Sequence, residues 1–139
     1  MDNWSDPQVA ADILTNHKSW AVVGCSNDPN RASHDVATFL MGRGYDIVCV
    51  NPNYDACIEG APCYPDLGSV SETIEVVDIF RRSDSVEPHI EEAIAIGAKA
   101  VWMQLGVINE SAARRASEAG LKVVMDRCPK IDLPRLQRG

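Results

Sequence analysis

The fold is decided by residues 20–40, which read WAVVGCSNDPNRASHDVATFL. The short apolar run after Trp20 is rich in β-branched residues and ends at Gly24, which is typical of a buried strand. A polar loop follows, and apolar residues then recur at helical spacing after Ser33, so we predict that Ser33 is the N-cap of a helix. A strand, a glycine, a polar loop and a capped helix form the first turn of a nucleotide-binding βαβ unit.

This turn predicts a phosphate site. The first N–H groups of a helix have no partner within the helix and carry partial positive charge, so a phosphate fits there. Gly24 lets the backbone approach a ligand where a Cβ would collide, although a glycine that only turns the chain fits the sequence as well. Arg31 adds a permanent cation that binds phosphate through two parallel hydrogen bonds. The loop matches neither the G-x-G-x-x-G fingerprint nor a P-loop.

Strands and helices alternate along the rest of the chain, and this alternation predicts the fold class. Helices are predicted from Pro7, with Asp6 as N-cap, and after the caps Ser85 and Asn109, with one helical turn at 70–73. Further strands are predicted at 46–50, 62–64, 75–80, 100–104 and 121–125. We therefore expect an α/β, Rossmann-like, doubly wound and mainly parallel sheet with helices on both faces. It forms a single domain over 1–139, with a core at about 8–132 and a flexible tail at 133–139.

Composition excludes several function classes. The net charge of −7 argues against non-specific binding to nucleic acid or anionic membranes. No apolar run approaches the ~20 residues of a membrane span. The N-terminus lacks a basic region and does not fit a signal peptide, so we expect a cytoplasmic protein. The number of cysteines, 5, is odd and none has C-x-x-C spacing, so no metal site or redox motif is predicted.

Arginines gather where a ligand is expected. In an open parallel sheet, ligands bind beyond the carboxyl ends of the strands. The predicted strand ends carry four arginines in an otherwise acidic chain: Arg31, Arg81, Arg82 and Arg127. Loops are polar in any case, but a ligand with several phosphates explains this bias better than chance.

Five short segments carry a resemblance to a known family, over roughly residues 8–132. They are VVGCS at 22–26, VNP at 50–52, DIFRR at 78–82, WMQLG at 102–106 and VMDRC at 124–128. In this order they resemble the small stand-alone CoA-binding proteins, which are similar to the CoA-binding domain of the succinyl-CoA synthetase α subunit. The resemblance implies a Rossmann-like fold that holds coenzyme A at the carboxyl ends of the strands.

The resemblance also implies the binding residues. The loop after the first strand would meet the phosphates, the end of the second strand would flank the nucleotide, the fourth strand would line the pantetheine or the 3′-phosphate, and the fifth would close the far side. The predicted cofactor-binding residues are Gly24, Cys25, Ser26, Arg31, Ser33, Asn51, Pro52, Phe80, Arg81, Arg82, Gln104 and Gly106.

We expect non-covalent binding of CoA or acyl-CoA by a carrier, sensor or accessory module, because the sequence shows no catalytic constellation. One alternative is an NAD(P)-binding oxidoreductase-type domain. Such sites place an acidic residue at the end of the second strand, and the neutral Asn51 at this position argues against this alternative. Another is a regulatory subunit that serves a separate acyl-CoA synthetase, and an enzyme that uses acyl-CoA is therefore the expected protein partner. Cys128, or else Cys25, is a hypothetical site for a mixed disulfide with CoA, and simple packing of Cys128 beneath the Pro129 turn is its alternative.

Overall fold

Six strands form one sheet in which every neighbouring pair is parallel. The structure is a computed structural model and describes residues 3–138. The strands are β1 Ser19–Val23, β2 Asp46–Val50, β3 Cys63–Tyr64, β4 Val76–Ile79, β5 Ala100–Gln104 and β6 Lys122–Arg127. Their order across the sheet is β3-β2-β1-β4-β5-β6. The predicted Rossmann-like α/β fold is confirmed.

The strand order reverses beside β1. The chain runs outward from β1 through β2 to β3 and then returns to β4, which pairs with the other edge of β1 from Trp20↔Val76 to Val23↔Ile79. The loops that leave β1 and β4 therefore go to opposite sides of the sheet and open a crevice between them. This switch point, at the carboxyl ends of β1 and β4, is where sheets of this kind bind ligands.

Within residues 3–138, five helices cover the two faces of the sheet. They are α1 Pro7–Asn16, α2 Ala32–Gly42, α3 Glu87–Ala95, α4 Glu110–Glu118 and α5 Pro129–Arg138. Trp20 and Val22 pack with the apolar residues of α1, α2 and α5, whereas Ala21 and Val23 pack with those of α3 and α4. Because both faces are covered, the strands are almost continuously apolar. None of the helices within residues 3–138 is long and apolar enough to cross a bilayer.

Two helices begin differently from the prediction. The N-cap of α2 is Arg31, not Ser33, and the Ser33 hydroxyl instead accepts a hydrogen bond from the Ser26 amide at 3.0 Å. Ser85 lies in a short 3₁₀ turn, and Val86 is the N-cap of α3. Capping residues can equally hydrogen-bond to a neighbouring loop, and sequence alone does not distinguish these uses. The predicted caps Asp6 and Asn109 are confirmed, since each accepts from a backbone amide of its helix.

The segment before β4 also differs from the prediction. Residues 70–73 form no helical turn, and the turn instead lies at Leu67–Ser69, where the Asp66 carboxylate accepts from the Ser69 amide at 2.8 Å. The predicted strand at 75–80 is shortened to Val76–Ile79.

The C-terminal segment is a helix where a loose tail was expected. Residues from 133 onward continue α5 through Arg138, and Leu133 is buried against the face that also receives α1 and α2. The prediction was wrong because Pro134 interrupts the helical pattern, yet the structure accommodates it inside the helix. Residue 139 lies outside the described part of the chain.

One carboxyl group lies in the middle of the sheet. Asp78 on β4 is fully buried beside Val22 and Trp102 of the neighbouring strands. Neither of its carboxyl oxygens has a hydrogen-bond partner among the described residues. Burial therefore raises the pKa of Asp78 well above its ordinary range, because an apolar environment disfavours the charged carboxylate.

Candidate functional site

A cavity of about 1100 Å³ opens at the switch point, beyond the carboxyl ends of β1 and β4. Its walls come from the loop after β1, the start of α2, the ends of β4 and β5, and the start of α5. Most of the predicted binding residues line it together: Gly24, Ser26, Arg31, Ser33, Asn51, Phe80, Arg81, Arg82 and Gln104. The sheet topology thus brings residues that are distant in sequence to one place.

Gly24 forms the tight turn at the floor of this cavity. Its φ is +83°, and its amide donates to the Val50 carbonyl at 2.9 Å. A Cβ at this position would lie 2.2 Å from the Phe80 carbonyl oxygen. The Phe80 carbonyl of the neighbouring strand end therefore requires glycine here by itself, and close approach of a ligand at Gly24 stays a prediction.

The N-terminus of α2 points its amides at the cavity. The first hydrogen bond of the helix runs from the Asp35 amide to the Arg31 carbonyl at 3.1 Å. Within residues 3–138, the backbone amides of residues 32–34 have no acceptor, and Ala32 and Ser33 line the cavity. These amides and the helix dipole place partial positive charge at the cavity, which is an arrangement that favours anions.

Four cationic side chains surround the cavity although the chain carries a net charge of −7: Arg31, Arg81, Arg82 and Lys130. Lys130 binds Asp35 at 2.6 Å and Arg82 binds Asp84 at 3.2 Å. No carboxylate in the described part of the chain pairs with Arg31 or Arg81. These two guanidinium groups therefore leave an uncompensated positive charge at the cavity.

Arg127, the fourth arginine of the predicted ligand side, is used elsewhere. It makes a bidentate pair with Asp132 at 2.8 and 2.9 Å and also donates to the Ser5 carbonyl at 3.0 Å. The hydrogen bond to Asp132 raises the pKa of Arg127. Arg127 thus ties β6 to α5 and to the N-terminal segment, and it does not line the cavity.

Comparison with known proteins identifies the family. A family model described as CoA binding domain matches residues 18–134. The chain belongs to the CoA-binding domain family. It is also 36% identical over 131 residues to the uncharacterized protein YneT of Bacillus subtilis, with 94% of this chain and 96% of that protein covered. The resemblance carried by the five sequence segments is confirmed at the level of the family.

The solved structures that resemble this chain include a protein of similar length and one part of a larger synthetase. A hypothetical protein from Pyrococcus horikoshii OT3 matches with a TM-score of 0.90 and 35% identity, and 99% of each chain is covered. The dinucleotide forming acetyl-coenzyme A synthetase 1 of Ca. Korarchaeum cryptofilum matches with a TM-score of 0.67 and 26% identity, over 79% of this chain and 26% of that chain. The CoA-binding domain described here therefore resembles about a quarter of that synthetase.

Three predicted residues do not line the cavity of this CoA-binding domain. Cys25 is fully buried beneath the loop, Pro52 is exposed beyond the end of β2, and Gly106 lies past the end of β5. Gly106 has a φ of +87°, and its amide donates to the Asp126 carboxylate at 2.7 Å. Its place at a strand end is therefore explained by the turn after β5.

The cavity also contains residues that the sequence analysis missed. They come mainly from the β2–β3 loop, the turn after β5 and the start of α5: Tyr54, Leu105, Val107, Lys130 and Ile131. Cys128, considered only for its thiol, lines the same wall. Lys130 and Ile131 were missed because no helix was predicted after the sixth strand. Leu105 could have been recognised as an exposed apolar residue immediately after a buried strand.

Gln104 supplies a buried polar group to the wall of the cavity. Its side chain is only 5% exposed, and its Oε1 has no hydrogen-bond partner in residues 3–138. A buried amide oxygen without a partner costs about 1–3 kcal/mol. A ligand that donates a hydrogen bond to this oxygen recovers that cost, so Gln104 is suited to contact a ligand directly.

Asn51 stabilises the loops that shape the cavity. Its Nδ2 donates to the Cys25 carbonyl at 2.9 Å, and its Oδ1 accepts from the Asn53 amide at 2.9 Å. We expect Asn51→Ala to lower the free energy of unfolding by about 1–3 kcal/mol, because it removes a buried hydrogen bond to the Cys25 carbonyl and leaves the Asn53 amide without its partner. Urea denaturation followed by circular dichroism measures this change.

Asn53→Ala is the matched control for Asn51→Ala. Its side chain is exposed, and its backbone amide, which binds Asn51, is retained. We expect this control to change the free energy of unfolding by less than about 0.5 kcal/mol. Equal losses in the two variants would contradict the structural role of the Asn51 amide.

Proposed function

We propose that the cavity binds CoA or acyl-CoA non-covalently and that the protein acts as a carrier, sensor or accessory module. The carrying observation is the positive end of α2 beside Arg31 and Arg81, two arginines without carboxylate partners in the described structure, in a chain of net charge −7. Such an arrangement favours a ligand with several phosphates. Membership of the CoA-binding domain family supports CoA as that ligand.

The residues of the cavity fit the parts of CoA. The α2 amides and Arg31 suit the diphosphate, because both supply hydrogen-bond donors and positive charge. Arg81 and Arg82 suit the 3′-phosphate or the upper part of the pantetheine arm. The Oε1 of Gln104 suits an amide N–H of that arm, since it is buried and has no partner in the described residues. At about 1100 Å³ the cavity also exceeds the ~300–1,000 Å³ usual for small ligands.

An accessory role toward an enzyme that uses acyl-CoA is the second candidate. The observation that favours it is the likeness to about a quarter of a dinucleotide forming acetyl-coenzyme A synthetase. The NAD(P) alternative is less well supported. The Asn51 side chain offers no carboxylate to a ribose, and its amide is already bonded to the Cys25 carbonyl and the Asn53 amide.

Ligand identity and phosphate dependence test the proposal. Mass spectrometry of small molecules released from the purified protein should detect CoA or acyl-CoA rather than NAD(P). Calorimetry should show that CoA binds more tightly than NAD and about tenfold or more tighter than dephospho-CoA, because one charge-assisted contact contributes roughly 1.5–3 kcal/mol. Equal affinity for CoA and dephospho-CoA would exclude the 3′-phosphate contact, and no affinity for CoA would exclude the proposal.

Arginine variants test which side chains are used. Arg31→Gln and Arg81→Gln should each weaken CoA binding about tenfold or more without loss of fold, because both side chains are exposed. Arg114→Gln is the matched control, since Arg114 is an exposed arginine of α4 outside the cavity wall. A control that weakens binding as much as the other two would show a general charge effect and no specific site.

A further inference from the structure

Four of the 5 cysteines gather behind one wall of the cavity. Cys25 follows β1, Cys49 lies in β2, Cys57 lies in the loop after β2, and Cys63 begins β3. Their convergence follows from the topology, because these strands are neighbours and Cys49 is in register with both Val22 of β1 and Cys63 of β3. Sequence spacing gave no sign of this cluster, since the cysteines come from separate segments.

Three sulfur atoms of the cluster lie close to one another, and the fourth lies next to one of them. Those of Cys25, Cys49 and Cys57 are all within 4.8 Å of each other, and the Cys63 sulfur is 3.2 Å from the Cys57 sulfur. Sulfurs that bind one tetrahedral zinc ion at ≈ 2.3 Å are about 3.8 Å apart. Small side-chain adjustments would therefore bring the sulfurs of Cys25, Cys49 and Cys57 to a common cation, and Cys63 can reach it from its position beside Cys57.

The surroundings favour a soft cation. Cys25, Cys49 and Cys57 are buried in the apolar core, and Cys63 is partly exposed. The sulfurs form hydrogen bonds with one another and with backbone carbonyls, and the Cys57 thiol donates to the Cys25 carbonyl at 3.4 Å. Sites built only from thiolates select thiophilic ions such as Zn²⁺ over Mg²⁺ or Ca²⁺.

We propose that Cys25, Cys49 and Cys57 form a binding site for a thiophilic d¹⁰ cation of the zinc class, with Cys63 as the fourth ligand. Binding is a ligand exchange without redox chemistry: each coordinating thiol releases its proton to solvent as its sulfur bonds to the cation. The partly exposed Cys63 gives the cation a route into the otherwise buried cluster. This proposal does not rest on the proposed binding of CoA.

The cluster is linked to the cavity wall through two carbonyl groups. The Cys25 carbonyl accepts from both the Cys57 thiol and Asn51, and the Tyr54 carbonyl accepts from the Cys63 thiol. Asn51 and Tyr54 line the cavity. A cation held by the four sulfurs would therefore fix the β2–β3 loop that supports this wall.

Metal titration of the reduced, metal-free full chain tests the site. With Cd²⁺ as the probe, we expect one equivalent to bind and to produce the ultraviolet sulfur-to-cadmium charge-transfer band. With Zn²⁺, we expect four thiols to be protected from a chromogenic thiol reagent, so that only Cys128 reacts rapidly. Failure of the reduced chain to take up either ion in stoichiometric amount would overturn the proposal.

Cysteine variants assign the ligands. Cys49→Ala and Cys57→Ala should each weaken Cd²⁺ binding at least tenfold, whereas the matched control Cys128→Ser should bind like the parent chain. Circular dichroism shows whether each variant folds. If Cys49→Ala, whose site lies in β2, does not fold, the Cd²⁺ affinity of Cys57→Ala in the loop decides the test. Unchanged binding in folded Cys57→Ala would overturn the proposal. So would a reduced chain that binds no cation but forms a Cys57–Cys63 disulfide with glutathione disulfide.

Discussion

We expect Gly24→Ala to lower the free energy of unfolding by at least about 3 kcal/mol, and to weaken the proposed CoA binding only as a consequence of that loss. A non-glycine residue at the φ of +83° costs roughly 1–2 kcal/mol. The new Cβ would in addition lie 2.2 Å from the Phe80 carbonyl oxygen, and backbone must move to relieve such a contact. Urea denaturation monitored by circular dichroism measures the loss.

Gly120→Ala separates the two causes. Gly120 has a φ of +92°, but a Cβ there would meet nothing within 4 Å. This variant should lose only the roughly 1–2 kcal/mol of backbone strain. If Gly24→Ala were no less stable than Gly120→Ala, the steric role of the Phe80 carbonyl would be refuted. If Gly24→Ala kept its stability but lost CoA binding, close approach of a ligand would again explain the glycine.

Asp78→Val should stabilise the protein by about 2 kcal/mol or more at pH 7. The substitution removes two buried carboxyl oxygens that have no partner in the described residues and leaves a β-branched side chain in the middle of a strand. Burial raises the pKa of Asp78 in the folded state, so the folded protein holds a proton that the unfolded chain loses above about 3.8. The parent protein therefore loses stability as pH rises through the window between these two pKa values.

The stability difference between Asp78→Val and the parent protein should depend on pH. Over that window the advantage of Asp78→Val should grow by about 1.4 kcal/mol per pH unit, and it should be smallest below pH 4. Asp78→Asn is the control, because it is neutral at every pH but keeps a buried polar group. Glu75 contributes the opposite slope in all three proteins, since its bond with His17 lowers its pKa, and this contribution cancels in the comparison. A constant advantage from pH 4 to pH 8 would contradict a protonated Asp78.

The sequence was sufficient to predict the sheet and the position of the cavity. Runs such as residues 47–50 are continuously apolar because both faces of a parallel sheet are covered, and this pattern is visible without the structure. The turn at Gly24 and the two consecutive arginines at 81–82 follow strands that end at the same edge of the sheet. The proximity of the turn to these arginines therefore follows from topology alone. The same rule predicted that Arg31 and Gln104 lie at this edge, and both line the cavity.

What the sequence could not predict depends on side-chain partners. Ser33 has the chemistry of an N-cap, yet its hydroxyl accepts from the Ser26 amide. Arg127 stands at a strand end like the cavity arginines, but Asp132 of the unpredicted α5 binds it. The thiol cluster was equally hidden, because it forms across three neighbouring strands and has no local spacing.

The participation of α5 in the cavity wall has a consequence for how the protein is made. One part of the cavity wall includes residues from 24–36 and another part includes residues from 128–131, which leave the ribosome much later. The sheet can begin to assemble while the chain is still being synthesised, but the Lys130–Asp35 bridge between α5 and α2 cannot form until the C-terminal helix has emerged. A ligand that needs both parts of the wall therefore cannot assist the early steps of folding on the ribosome, and it stabilises only the chain that has been released far enough to dock its last helix.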